Sequence, residues 1–480
     1  MKKNVGIAIV ILALLMTSGI PGEAAPFNPG GWQYYREITV TNSGGALTDY
    51  QVLVQLSGSS FPTTTSNGAD IRFTDASGNE LSYWIESWDY AGKSASIWVK
   101  VPSIAVGATT MRMYYGNPTA SASSSVTGTF IKEIGGVVGS WHFDEDAKDS
   151  SGNGIDGTIY GGGFANGKFG KALALNEGNG YADLGEGGGK LDFGTDAFSI
   201  EFWMNYKGTT VHPNVSGIMG KTLKTRDSPG FFAWITTWGG DGSNYGLDIC
   251  TSNGPWGSCG ANDWGKYYPN TWYHIVLVRN GNTYTFYKNG DYSNAGTKAG
   301  HGLNVNNDVS FKIGDCADAP NFNGLIDEFR IYNRALTAVE ISDLYNNYGY
   351  TTTNYPGKVL IRKNIPIESA VAVGAEQSLP GSISITSSPS GAEVLVDGAS
   401  KGTAPRTVSD IAPGSHSIKC RLTGYSDYDT TVSVAAGVSA SVTCTLTSLV
   451  TPTSITPGPP ASQLAITLTS EPASIAPGST

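Results

Sequence analysis

The sequence predicts an all-β, multidomain protein, and three observations predict it. Its 480 residues exceed what one core organises, so two to four domains are expected. Glycine is abundant at 63 residues, aromatics reach 11% and charged residues only 15%, a composition of turn-rich sheets rather than helices. Short runs of alternating apolar and polar residues recur, separated by Gly, Ser and Asn turns. The 40% hydrophobic content can fill several cores.

The first residues read as an export signal. Lys2 and Lys3 form its positive end, Val5–Met16 its apolar run, and Gly22-Glu23-Ala24 a small-x-small cleavage site. The competing reading is an uncleaved anchor. The run is short against the roughly 20 residues of a membrane span, which favours a signal peptide over residues 1–24. Cleavage removes two lysines and one glutamate and takes the net charge from −10 to −11. Such an acidic chain argues against nucleic acid, which needs basic patches. Export also permits disulfides.

Residues 32–118 read as short strands. Val52, Val54 and Leu56 share one face, with Gln51 and Gln55 on the other; Ile97, Val99 and Val101 repeat the pattern with Lys100 outward. Turns at Ser43-Gly44-Gly45 and Ser77-Gly78-Asn79 separate the runs, and a compact β-sandwich is expected. Residues 32–40 and 69–73, Tyr83-Trp84-Ile85 and Tyr114-Tyr115-Gly116-Asn117-Pro118 together resemble a domain of unknown function from archaeal and bacterial surface proteins. That resemblance implies a surface-protein setting and says nothing of an activity. Residues 119–136, rich in Ser, Ala, Thr and Gly, read as a linker.

The next domain opens with Val138-Gly139-Ser140-Trp141-His142-Phe143-Asp144-Glu145 and the Asp149-Ser150-Ser151-Gly152-Asn153-Gly154 loop. In Ile200, Phe202 and Met204 an apolar face alternates with Glu201 and Trp203. Lys288-Asn289-Gly290-Asp291 predicts a type I′ hairpin, because Asn-Gly tolerates two positive φ angles. Near the end stands Asn323-Gly324-Leu325-Ile326-Asp327-Glu328-Phe329-Arg330-Ile331-Tyr332-Asn333-Arg334-Ala335-Leu336. A helix over 338–346 follows, with Thr337 and Glu340 as a capping box and Ile341, Leu344 and Tyr345 as its apolar stripe. These blocks, in this order, resemble a laminin-G-like, concanavalin-A-like jelly roll over 137–348. Such folds occur both as binding modules and as glycosidases.

Residues 349–380 are Pro-punctuated and read as a second linker, with one strand candidate at residues 359–362. In 381–447, Ile383-Ser384-Ile385, Pro389–Gly398, Ala412-Pro413-Gly414 and Leu422-Thr423-Gly424-Tyr425 resemble a PEGA domain, a small β-sandwich of surface proteins. Ser390 stands where the naming motif has Glu. Residues 448–480 are Thr/Pro/Ser-rich and read as a tail or the start of a further domain.

Five cysteines are present. Cys250 and Cys259 bracket a short Gly-rich loop and form the first expected disulfide. Cys420 and Cys444 lie in two candidate strands and form the second, provided those strands are adjacent. Cys316 is left over and reads as a buried thiol.

A glycosidase of this fold needs two carboxylates at alternate positions on one strand, aimed into a groove. No Glu-x-Asp-x-x-Glu run occurs, and Asp327 and Glu328, being adjacent, are expected on opposite faces of their strand. Nucleophile-elbow and His-Glu-x-x-His motifs are also absent. Calcium is a better prospect, because the 149–154 loop offers oxygen donors at alternate positions. Tyr160 at the twelfth position excludes an EF-hand. The jelly-roll resemblance implies a structural calcium held by Asp149, Asn153 and Asp327; the competing reading is an Asx-rich turn with carboxylates bonded to backbone.

For ligand binding, the aromatic-rich stretch 231–268 stands out. Phe231, Phe232 and Trp234 read as core, whereas Trp238, Tyr245, Trp256 and Trp264 fall in turn-rich segments and form the candidate sugar-stacking set. The expected reading is a secreted or cell-surface, non-catalytic protein that recognises glycan or a protein partner in the cell envelope. A divergent glycoside hydrolase and a purely structural envelope component are the alternatives.

Overall fold

Strand Leu47–Ser57 shows how the alternating pattern becomes a sandwich: Val52, Val54 and Leu56 are all buried in one core. The computed structural model describes residues 26–62, 65–208, 215–222, 229–238, 244–252, 258–263, 267–292, 304–316, 319–364 and 369–449. It divides into two units, Met1–Leu379 and Pro380–Thr480.

In the first unit, Leu47–Ser57 joins Ser94–Ile104 and Tyr83–Asp89 in a three-stranded sheet. Facing it is a five-stranded sheet, in the order Ala370–Ser378, Tyr34–Asn42, Gly107–Tyr115, Arg72–Asp75 and Glu80–Leu81. Its outermost strand comes from the segment expected as a linker. Ala370–Ser378 pairs antiparallel along Tyr34–Asn42, and Val371 and Val373 pack on the shared core. The sandwich is therefore closed by chain that follows the jelly roll. The turn at 75–79 is the expected hairpin, with Asp75 Oδ1 accepting from the Ser77 and Asn79 amides.

The jelly roll is two sheets around a large apolar core. The seven-stranded sheet runs Thr158–Tyr160, Tyr181–Asp183, Lys312–Ile313, Val215–Lys221, Gly230–Trp238, Asn244–Ser252 and Ser258–Asp263. The opposing sheet centres on Gly324–Tyr332, which pairs with Phe198–Tyr206, Lys171–Leu175 and Val137–Trp141. Ile200, Phe202 and Met204 face the core as expected. The Asn-Gly hairpin has φ of 53° at Asn289 and 82° at Gly290, as a type I′ turn requires.

Two further corrections concern the expected linkers. Lys132–Gly135, Lys358–Arg362 and Tyr348–Tyr350 form a sheet of their own, so segments 119–136 and 349–380 are built into the fold. Together with helix Ala338–Asn346 this sheet covers the outer face of the jelly roll, burying Tyr332, Leu336, Ile341, Leu344, Val359 and Ile361. Thr337 and Glu340 close the capping box in both directions. The same cover explains Gln51, expected outward but fully buried. Its amide donates to Thr129 O at 3.1 Å, and its Oε1 accepts from Lys363 N at 2.9 Å. A glutamine can be buried there because both ends of its amide are satisfied.

The second unit is a small sandwich of a three-stranded and a four-stranded sheet. Cys420 lies in Gly414–Arg421 and Cys444 in Ser439–Thr445, which belong to different sheets. The two strands are not adjacent. The disulfide between them, with Cα atoms 6.3 Å apart, instead crosses the core from sheet to sheet. Among the described residues no helix is long and apolar enough to cross a membrane.

Candidate functional site

The closing strand Gly324–Tyr332 is buried at every position. Its register against Phe198–Tyr206 breaks between Glu201 and Trp203: Arg330 stands opposite Glu201, but Asp327 already stands opposite Trp203. Two residues, Glu328 and Phe329, therefore oppose the single Phe202. Glu328 carries the irregularity, with φ of 50°. Phe329 stays in the core against Phe202. Asp327 and Glu328 both reach the outer face, because a bulge cancels one step of the alternation. This overturns the expectation that adjacent carboxylates here face opposite sides.

Those carboxylates are engaged in a buried polar cluster. Glu201 Oε1 accepts from Arg330 Nη1 at 3.0 Å, and its Oε2 accepts from Tyr332 OH at 2.6 Å. His274 Nε2 lies 3.2 Å from Glu201 Oε1. Glu328 pairs with Arg330 Nη2 and accepts from Tyr348 OH at 3.1 Å. His142 Nδ1 lies 2.9 Å from Glu328 Oε1, and its Nε2 lies 3.0 Å from Thr351 Oγ1. Burial alone would favour a neutral Glu201, but Arg330, His274 and Tyr332 hold its carboxyl below the usual range. Burial would likewise depress His142, and the Glu328 charge outweighs it and raises the imidazole.

Asp327 is different. Its Oδ2 accepts from Lys168 N at 2.8 Å and Phe169 N at 2.9 Å, while its buried Oδ1 has no hydrogen-bond partner. Burial first, and the Glu328 charge second, push its carboxyl up to about 8 against those two amides. A Cβ at Gly167 would come within 2.6 Å of Asp327 Oδ2, so this clasp requires glycine there.

The calcium set does not fit an ion in this geometry. Asp149 Oδ1 accepts from the Ser140 and Ser151 amides, and Oδ2 from Ser151 Oγ and the Ile155 amide. Four donors occupy the roughly four lone-pair sites of a carboxylate. The Asn153 side-chain nitrogen donates to Ser151 Oγ, and the Asn153 backbone carbonyl accepts from Lys190 Nζ at 2.7 Å. Asp327 clasps a different loop. Among the described residues no three His, Cys, Asp or Glu side chains converge on a metal position. The opening loop is thus an Asx-rich turn bonded to backbone. It forms one wall of an acidic cavity of about 610 Å³ lined by His142, Asp144, Asp146, Asp149 and Asp156.

The aromatic set is described in part. Trp238 is the last residue of Gly230–Trp238 and Tyr245 lies within Asn244–Ser252, so both are in strands rather than turns. The register sets Trp238 opposite Asn244 and Tyr245 opposite Thr237, at one end of the hairpin. Their side chains, and all of Trp256 and Trp264, lie outside the described residues. Phe231 is in the main core, while Phe232 and Trp234 are buried on the other face of their strand with Cys250 and Cys316. Cys250 is disulfide-bonded, and the register sets Cys259 directly opposite it. Cys316 is a buried thiol.

Sequence reasoning missed His142, Glu201, Arg330 and Thr351. The only local hint was a charged residue at an alternate position between apolar ones, as at Glu201.

Three families match parts of the chain. Residues 67–151 match a domain of unknown function (DUF2341), residues 176–342 the concanavalin A-like lectin/glucanases superfamily, and residues 380–449 the PEGA domain. No curated protein matches the chain. Among solved structures, one likeness is to domain 4 of AbnA, an extracellular arabinanase from Geobacillus stearothermophilus, solved with arabinotriose. It is 26% identical with a TM-score of 0.33, covering 44% of this chain and 98% of that one. Another is to the sialyllactose-bound CBM40 of the Ruminococcus gnavus IT-sialidase, at 14% identity and a TM-score of 0.26, covering 32% and 84% of the two chains. A heptameric SAP-like pentraxin from Limulus polyphemus is 16% identical with a TM-score of 0.26, covering 38% and 84%. None of these likenesses decides a ligand. In chain order, this protein is similar to DUF2341, then to a concanavalin A-like lectin/glucanase domain, then to a PEGA domain.

Proposed function

We propose that the protein is a secreted or cell-surface, non-catalytic binding protein whose jelly roll recognises glycan in the cell envelope. The observation that carries this reading is the state of four buried carboxylates of the jelly roll. Glu201 and Glu328 share the Arg330 guanidinium, Asp327 is fully buried with one oxygen clasping two backbone amides, and Asp149 is saturated by donors. A glycosidase needs one carboxylate free as acid and a second free as base or nucleophile. The lectin/glucanase-type fold supports a binding role, and the aromatic stretch 231–268 supplies its candidate platform. Export is supported by the signal-like first 24 residues and by the Cys420–Cys444 disulfide.

A glycan array probed with the full chain tests the reading. Binding to envelope polysaccharide is expected, weakened about tenfold by Trp238→Ala or Trp256→Ala through the loss of one stacked ring. Absence of binding across the array sinks it. Release of reducing sugar, abolished by Glu328→Gln in a folded variant, would replace it with hydrolysis.

A further inference from the structure

In the second unit, His416 stands on Gly414–Arg421, beside the turn that joins Glu393–Val396 to Ala399–Thr403. That turn is Asp397-Gly398, with φ of 51° and 79°. It is tied to the neighbouring strand, because Asp397 N donates to Ser417 O at 2.9 Å and Asp397 Oδ1 accepts from Ser417 N at 2.9 Å. The His416 ring meets an acceptor at each nitrogen. Its Nδ1 lies 2.6 Å from Asp397 Oδ2, and its Nε2 lies 2.7 Å from the backbone carbonyl of Ala412.

Neither a carboxylate nor a backbone carbonyl can donate a hydrogen bond, and a neutral imidazole carries a single N–H. Only the imidazolium satisfies both contacts, so this geometry calls for a proton on the ring. The packed strands bring Glu393, Lys401, Arg406, Asp410, Tyr428 and Asp429 to the unit. Glu393 accepts from Ser400, and Asp429 pairs with Lys419. Asp397 is the charged group that acts on the ring. The Asp397 bond first, and the Ala412 carbonyl second, raise the imidazole above its ordinary value, and the same bond lowers the Asp397 carboxyl. The contact's contribution to stability is therefore full below the ordinary histidine value of about 6.5 and lost as pH rises through the raised folded one.

We propose that His416 is a proton-operated clasp of the second unit: as imidazolium it joins the Asp397-Gly398 turn to the Ala412-Pro413-Gly414 turn, and on losing its proton it releases the second of them. The direction of release follows from the two bonds. The contact with Asp397 has an ionised acceptor and is stronger than one with a neutral carbonyl. The remaining N–H therefore stays on Nδ1, and the Nε2 lone pair is left facing the lone pairs of Ala412 O. The clasp lies within the second unit and does not depend on what the jelly roll binds.

The test is a pH titration of the full chain by nitrogen NMR, with ring-labelled histidine and the His416 signals assigned from His416→Gln. The expected midpoint lies above the ordinary histidine value of about 6.5. Below the midpoint both ring nitrogens carry protons, and above it the Nδ1–H tautomer remains. In a uniformly labelled sample the Gly414 amide moves with the same midpoint. Asp397→Asn keeps a residue that tolerates the positive φ and lowers the midpoint. Three results overturn the proposal: a wild-type midpoint at or below the ordinary value, an Nε2–H tautomer after deprotonation, or a midpoint unmoved in folded Asp397→Asn. The first two are read in the wild-type chain, so they stand even where the variant fails to fold.

Discussion

Glu201 and Glu328 share one buried guanidinium, and without Arg330 the two carboxylates would keep only His274 and His142 beside them. Breaking a buried pair costs about 3–5 kcal/mol, so Arg330→Met should lower unfolding free energy by about that amount in denaturant titration. A loss below about 1 kcal/mol would mean that the cluster is not closed as described. Asp327 gives a pH signature. Its carboxyl titrates near 3.9 in an unfolded chain, but burial and the Glu328 charge push it up to about 8 when folded. Between those values the folded state holds a proton that the unfolded state lacks, so this group's contribution to stability falls as pH rises. Asp327→Asn should melt with wild type near pH 4 and above it near pH 8; parallel melting curves across that range would contradict the assignment.

At the scale of elements, the helix Ala338–Asn346 is short, so its cap matters. Thr337 Oγ1 accepts from Glu340 N, and Glu340 accepts from Thr337 N at 2.9 Å. Thr337→Ala should cost about 1 kcal/mol, read from the shift in chemical denaturation midpoint. Burial opposes ionisation of Glu340, yet Arg334 and the Thr337 groups pull its carboxyl down to about 2. The cap's stability is therefore present above the ordinary carboxylate range and lost as pH falls toward 2. The cap was legible in sequence because it involves residues three apart. The bulge at Glu328 was not. Nothing in Asp327-Glu328-Phe329 announces a positive φ at a glutamate; the partners that hold it there, His142, Arg330 and Tyr348, include groups far away in sequence. That one irregularity decides which face the two carboxylates share.

At the scale of the molecule, the jelly roll cannot be cut out at the boundaries 137 and 348 without loss. Such a fragment lacks Lys132–Gly135 and Lys358–Arg362, whose Ile134, Val359 and Ile361 are fully buried on its outer face. Removing three such side chains forfeits about 1.5–3 kcal/mol each, so the 137–348 fragment should melt well below the chain 26–449 in calorimetry. Equal melting temperatures would show that the cover contributes nothing. In the second unit, the Cys420–Cys444 bridge closes a loop of 24 residues. Cys420→Ala with Cys444→Ala should lower that unit's stability by about 3 kcal/mol.

The sequence by itself determined the all-β class, the Asn289-Gly290 turn and the capped helix. Each of these rests on local chemistry: a φ that only certain residues tolerate, a side chain three positions from an amide, an apolar face of period two. The tertiary structure alone decided that Ala370–Ser378 returns to close the N-terminal sandwich, that Gln51 is buried, and that Asp149 has no lone pair left for a metal. These depend on which distant strand or loop lies alongside, and alternation within a strand gives its faces but not what covers them.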